Sequence, residues 1–380
     1  TDFESRTPDW LSVHDALDRV LARARPLPTE RVEALRAWGR ALAEGVRARA
    51  PLPPWDNSAM DGYAVRAGDV ATATKAAPIA LTVVGETRAG DVAGRALGVG
   101  EAVRIMTGAP IPPGADSVVP VEDTDAEATP GQVLVFSHDA PGRHVRPGGQ
   151  DMREGEEVLA SGTSLGSGQM GLIAAAGAKR VLVHRRPRVG ILSNGDELAS
   201  ADDFRRVLAG KAIPETNSAT LAAAISASGG IPVTLGIARD NRESILTQVA
   251  AAREQGADIL LTSGGASMGE KDLLKRVLEE IDFDLDFWRV KIRPGTPFSF
   301  GVLPEAGDAP PLTVFGLPGN PASSFVTFQI FARPFLLALA GHRLIHRPVL
   351  TATAGDALES PPHLTHLVRV NLLGDPAEPS

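Results

Sequence analysis

The sequence predicts a multidomain α/β protein: a doubly wound α/β domain, an inserted mostly-β domain, a small N-terminal linking domain and a small C-terminal β domain. Three observations carry that prediction. A chain of 380 residues exceeds one typical core and is expected to divide. From Lys179 onward, apolar runs of strand length alternate with stretches of helical period. Between Pro51 and Asp151, Gly and Pro recur among short apolar runs, the texture of strands joined by tight turns.

Taken in order, "SVHDALDRVLARARPLP" opens with Ser12 and Asp15, a capping box with a shortened acid. Val13, Leu17, Val20 and Leu21 share one helical face, and a proline pair ends the segment. "ALRAWGRALAEGVRA", residues 34–48, is expected to form a second helix. "PPWDNSAMDGYAV", residues 53–65, has a period of neither two nor 3.6 and reads as irregular, although it holds the chain's one tyrosine and one of its four tryptophans. The runs "IALTVVGE", "AVRIMTG", "SVVPVE" and "QVLVF" read as strands, and "SLGSGQMGLIAAAGA" as a helix leading out. Then "RVGILS", "IPVTLGI", "DILLTSGG" and "LTVFGLPG" read as strands separated by the helical "SATLAAAISASGG", "RESILTQVAAAREQG" and "KDLLKRVLEEI". Such alternation implies parallel strands with right-handed crossovers. The expected domains are 1–47 with 153–181, then 48–152, 182–346 and 347–380.

Composition narrows the chemistry. Cysteine is absent, which removes thiol nucleophiles, iron–sulfur clusters, cysteine zinc sites and disulfides. A net charge of −8 with 4% aromatics argues against a nucleic-acid partner. No run of about 18 apolar residues is apparent, so no membrane partner is expected. The opening residues do not read as a secretory signal, and a cytoplasmic location is expected.

In a doubly wound sheet ligands sit beyond the strand carboxyl ends. "ILSNGDEL" places Asp196 and Glu197 there, where an ordinary turn is the competing reading. Ser263, Gly264 and Gly265 follow a buried strand, with Asp272 opening the next helix; a glycine turn and an anion site are both open. In "FGLPGNPASSF", Asn320 suits an N-cap with Pro321 at N1, and the first-turn amides and hydroxyls suit an anion. Arg293 in "WRVKIRPGTPFSFG" offers a cation to a phosphate or another compact oxyanion. The acids Asp196, Glu197, Asp240 and Asp272 would repel an anion unless a magnesium ion joins them. A dedicated zinc site is not expected.

"PPWDNSAMDGYAV", "RIMTGAPIPPGADSVVP", "VRPGGQD", "SNGDEL", "SGGASMGEKD" and "GLPGNPASS", in this order, resemble the molybdopterin molybdenumtransferase family, which includes bacterial MoeA and the E domain of gephyrin. The resemblance spans about Pro51 to Gly341. It implies insertion of molybdate into adenylylated molybdopterin, cleavage of the phosphoanhydride, release of AMP and assistance by Mg2+. It also implies a homodimer of four-domain subunits sharing a cleft, with handover of substrate from molybdopterin adenylyltransferase. By this resemblance Asp61, Thr107, Asp151, Glu197, Asp240 and Asp272 match functional positions. Ser263, Gly264, Gly265, Ser267, Arg293, Pro318, Gly319, Asn320 and Pro321 are expected to bind substrate, and Glu197, Asp240 and Asp272 the metal. The chain departs from the family in "RPGTP" where the family has "KPGKP", in "SNGDEL" for "STGDEL", and in a short tail. The alternatives are a molybdopterin adenylyltransferase, which would not need the inserted β segment, and a catalytically silent scaffold of the same fold.

Overall fold

The computed structural model describes residues 10–92, 94–137, 140–264, 273–360, 362–371 and 373. They divide into two compact units. An α/β unit takes the chain up to Glu44, Ser161–Gly166 and Leu182 onward, and a β unit takes Gly45–Ala160 and Ser167–Val181.

Helix α1 (Val13–Ala22) begins the α/β unit. Half of the expected capping box forms: Ser12 Oγ accepts from the Asp15 amide at 3.0 Å and donates to Asp15 Oδ2 at 2.7 Å. Ala16 and Val20 are buried in the core, and Val13 and Leu17 pack against it. The second helix expected over residues 34–48 does not form. A single 3-10 turn (Ala34–Ala37) gives way to a left-handed Gly39, and Ala41 and Leu42 then bridge to Ser164 and Val183. Strand pairing to distant residues overrides the local helical preference there.

The β unit carries β1 (Gly62–Val65), β2 (Ile79–Thr87), β3 (Glu101–Ile105), β4 (Ser117–Pro120) and β5 (Gln132–Val135) in one sheet of order β4-β1-β3-β2-β5. The neighbours are antiparallel except β2 and β3. The segment read as irregular therefore contains a strand. All four residues of β1 are buried, and a strand covered on both faces has no alternation to betray it. Tyr63 is wholly inside the core, where burial pushes its phenol up from the usual value. Trp55 stays 47% exposed. Helix α2 (Ser167–Ala175) falls within the stretch expected to be helical.

The rest of the α/β unit runs β6 (Arg188–Asn194), α3 (Asn217–Ala227), β7 (Ile231–Ala238), α4 (Arg242–Glu254), β8 (Ile259–Ser263), α5 (Leu273–Glu279), β9 (Asp284–Trp288), β10 (Ser299–Leu303), β11 (Leu312–Leu317), α6 (Pro321–Thr327) and α7 (Arg333–Leu339). The sheet order is β7-β6-β8-β11-β10-β9. Strands β7, β6, β8 and β11 are parallel, as the alternation predicts. Strand β10, absent from the sequence reading, runs antiparallel to both its neighbours. The short 304–311 link permits a hairpin to β11 but no crossover.

Apolar clusters fill both faces of this sheet. One gathers Phe298, Phe300, Phe315, Phe328, Phe331 and Phe335 under α1, α3 and α7, with Phe298 stacked on Phe331 at 4.4 Å. The other packs α4 and α5 against Leu260 and Val314. The helical run Pro321–Leu339 is apolar and long enough to cross a membrane, but 61% of it is buried in the protein, which marks a core helix. In the tail, Thr365–His366 pairs with Ile292–Arg293, and among the described residues after 347 this is the one strand.

Candidate active site

Four loops leave the carboxyl ends of four adjacent parallel strands in the α/β unit, the position where such sheets bind ligands. At the end of β6, the Asn194 side-chain amide donates to Asp240 Oδ1 at 2.7 Å. Asp240 follows the neighbouring β7. The Asp196 amide reaches Asp240 Oδ2 at 3.4 Å, and the Asp240 amide reaches Asp196 Oδ1 at the same distance. Asp196, rather than Glu197, is thus the acid tied to Asp240. Asn194 is buried, and among the described residues its Oδ1 has no hydrogen-bond partner. Glu197 is exposed one residue further on. An open hollow of about 600 Å³ adjoins this pair, lined in part by Asp196, Arg206, Arg239 and Asn241.

Strand β8 delivers Ser263, which is buried, and Gly264, whose φ of +95° lies in the left-handed region. A Cβ on Gly264 would sit 2.4 Å from the Asn194 carbonyl oxygen, so this turn tolerates glycine alone. The loop after β11 packs against this turn: a Cβ on Gly319 would sit 3.5 Å from Gly264 Cα, in ordinary van der Waals contact. Pro318 is buried, and Asn320 caps α6 as predicted, accepting from the Ala322 and Ser323 amides at 3.0 and 3.4 Å with Pro321 at N1. Two first-turn amides expected to face an anion are therefore already occupied by this cap. Gly265, Ser267 and Asp272 lie outside the described residues.

Arg293 is exposed, and its carbonyl accepts from Leu367 at 2.8 Å. Thr296 turns its hydroxyl onto the Ile292 carbonyl at 2.6 Å. It closes the turn on itself rather than offering a cation.

The three motifs of the β unit knit into one constellation. Asn57–Ser58 pairs with Val145–Arg146, and Ser58 exchanges backbone bonds with Gly108 and Ala109. Asp61 Oδ1 accepts from both the backbone amide (2.7 Å) and the hydroxyl (2.8 Å) of Thr107. These bonds, the amide first, hold its carboxyl below the ordinary aspartate value. Asp151 pairs with Arg146 at 3.0 Å, and Asp56 takes the Gly148 amide at 2.7 Å.

Sequence reasoning missed the start of α3. The Asn217 side-chain amide donates to Ser263 Oγ at 2.5 Å and to the Gly319 carbonyl at 2.8 Å, joining two site loops. Glu215 Oε1 accepts from Ser193 Oγ and the Ser218 amide, both at 2.9 Å. The signal was present in "PETNS", an acid and an asparagine at a helix start.

His342 with His346, and His363 with His366, have spacings found in zinc sites. Yet no group of three or more metal-binding side chains gathers among the described residues. Asp240, Asp196 and the unpartnered Asn194 Oδ1 are hard oxygen donors, the set that suits magnesium completed by phosphate oxygens.

Fold and site together define a class: a doubly wound α/β unit with glycine turns gathered at its strand carboxyl ends, and a β unit whose Asp61 is pinned by Thr107. The family described as "MoeA N-terminal region (domain I and II)" matches residues 11–177, and that described as "Probable molybdopterin binding domain" matches 190–338. A molybdopterin molybdenumtransferase of Nostoc sp. is 37% identical over 82% of this chain and 70% of its own length. One of Bacillus subtilis is 35% identical over 92% of this chain and 80% of its own. The crystal structure of the molybdopterin biosynthesis moeA protein from Pyrococcus horikoshii OT3 matches with a TM-score of 0.75 and 31% identity, covering 89% of this chain and 81% of that one. The chain belongs to the molybdopterin molybdenumtransferase family.

Proposed function

We propose that this protein serves molybdenum cofactor biosynthesis by inserting molybdate into adenylylated molybdopterin with release of AMP. Supporting this reading above all is the gathering of Asp240, Asn194, Ser263, Gly264 and Gly319 at the ends of four adjacent strands. A left-handed glycine turn lets an anion approach backbone amides closely. We assign a phosphate of the substrate to this turn. Asp240 and Asp196, with Asn194, would hold Mg2+, which neutralises phosphate charge when bound. Asp61, kept ionised by Thr107, supplies a fixed negative charge in the β unit.

We propose a cytoplasmic location and, by family resemblance, a homodimer in which the β unit of one subunit and the α/β unit of the other complete a cleft. On the same ground it receives substrate from molybdopterin adenylyltransferase. Glu197, Asp151 and Arg293 are assigned supporting contacts with metal or anion, and the four-domain division stands as the domain proposal.

The test supplies preformed adenylylated molybdopterin, molybdate and magnesium, and follows AMP. AMP release coupled to molybdenum incorporation is expected. If the protein instead consumes ATP and free molybdopterin with release of pyrophosphate, the adenylyltransferase reading replaces this one. Mixing Asp61→Ala and Asp240→Ala subunits tests the shared cleft, since inactivity in confirmed heterodimers contradicts it.

A further inference from the structure

We propose that Asn217 is a positioning residue for the substrate anion: its side-chain amide locks the Gly319 loop to the Gly264 turn and leaves the Ser263 hydroxyl hydrogen to bind an oxyanion. This rests on the molybdopterin reading above for the identity of that anion. Both hydrogens of the Asn217 amide are spent, one on Ser263 Oγ and one on the Gly319 carbonyl. Asn217 is 8% exposed and Ser263 is 2% exposed, so neither can turn to water for a partner.

A serine hydroxyl has one hydrogen and two lone pairs. Once Ser263 Oγ accepts from Asn217, its own hydrogen must find an acceptor, and among the described residues none faces it. Buried polar hydrogens are almost always paired. Gly264, next in the chain, has the left-handed turn that lets an oxyanion come near.

The platform beneath is rigid. Ser193 at the end of β6 is bound to Glu215, and Ser218 Oγ lies 3.0 Å from Ser193 Oγ. The start of α3 is therefore tied to β6, β8 and the loop after β11 at once. Asparagine is the side chain that meets these demands. Aspartate would set a carboxylate against the Gly319 carbonyl and draw the Ser263 hydrogen to itself, while alanine would free Ser263 to turn.

The experiment compares wild type with Asn217→Ala, Asn217→Asp, Ser263→Ala and the Asn217→Ala/Ser263→Ala double variant. AMP affinity is read by calorimetry, and KM and kcat for adenylylated molybdopterin by AMP release. We expect Asn217→Ala and Ser263→Ala each to weaken AMP binding and raise KM roughly tenfold, with kcat changed by less than about threefold. The double variant should lose little beyond either single one, because both remove the same contact. Asn217→Asp should lose more than Asn217→Ala. AMP affinity within twofold of wild type in Asn217→Ala, or losses that multiply in the double variant, would overturn the proposal. Thermal unfolding is followed throughout, and if the alanine variant loses its cooperative transition, the isosteric Asn217→Asp decides by the same binding readout. A wild type that binds AMP but releases none from adenylylated molybdopterin defeats the proposed function and leaves Asn217 to be judged by AMP affinity.

Discussion

Asp61 and Asp240 are both exposed aspartates at loop ends, each held by one side-chain donor and one backbone amide, but from differently placed residues. Asp61 receives two hydrogen bonds on one oxygen from a single residue, Thr107, and its environment already favours the charged form. Asp240 is gripped from the strand beside it, next to a buried Asn194 oxygen that has no partner among the described residues. Asp61 takes both of its bonds on Oδ1, whereas Asp240 takes one on each oxygen. Asp240 also lies beside Asp196 and the Asn194 side chain, the oxygens to which the proposal above assigns Mg2+.

The widest gap between the two should come from the backbone. Gly264→Ala places a methyl against the Asn194 carbonyl in left-handed geometry, costing about 1–3 kcal/mol in strain alone. Molybdenum insertion should be abolished and thermal stability lowered, and an unchanged melting temperature would contradict the close approach.

Asp240→Asn should come next. It keeps the shape while removing the charge, and AMP release should fall about a hundredfold with the fold intact. Activity near wild type would remove Asp240 from the site.

Acid should separate the units as well. Burial first, then the charges of Arg333 and His184, push His342 of the α/β unit down to about 4. Below that value both folded and unfolded chains carry the proton, and above the ordinary 6.5 neither does. In between the unfolded chain binds the proton, so stability falls as pH drops from 6.5 toward 4. His342→Gln should flatten melting temperature against pH across that window, whereas the depressed Asp61 carboxyl keeps its charge there.

The smallest effect belongs to Thr107→Val, which removes the hydroxyl but leaves the amide. Activity should drop about three- to tenfold. By NMR titration the Asp61 carboxyl should rise only part of the way to its ordinary value, because the backbone bond is the larger cause. A full return would show that the amide contact depends on the hydroxyl.

Much of the α/β unit was legible because β8 is a short buried apolar run and "RESILTQVAAAREQG", which forms α4, reads as helical. The Asn320 cap with Pro321 at N1 was readable too, since capping is local chemistry. Strand β1 was not legible, because a strand buried on both faces loses the alternation that marks one. The failed helix at 34–48 shows propensity yielding to pairing with residues far along the chain.

The sequence by itself determined the alternation of strand and helix, the caps, the glycines at strand ends and the motifs that carry family membership. These are local in their physics: dihedral freedom, periodicity and side chains bonding to nearby amides. The tertiary structure alone decided that β10 runs backward, that Asp196 rather than Glu197 is tied to Asp240, and that Asn217 joins Ser263 to Gly319. Those bonds span residues 44 to 102 positions apart, and no local preference specifies which distant donor will meet which acceptor.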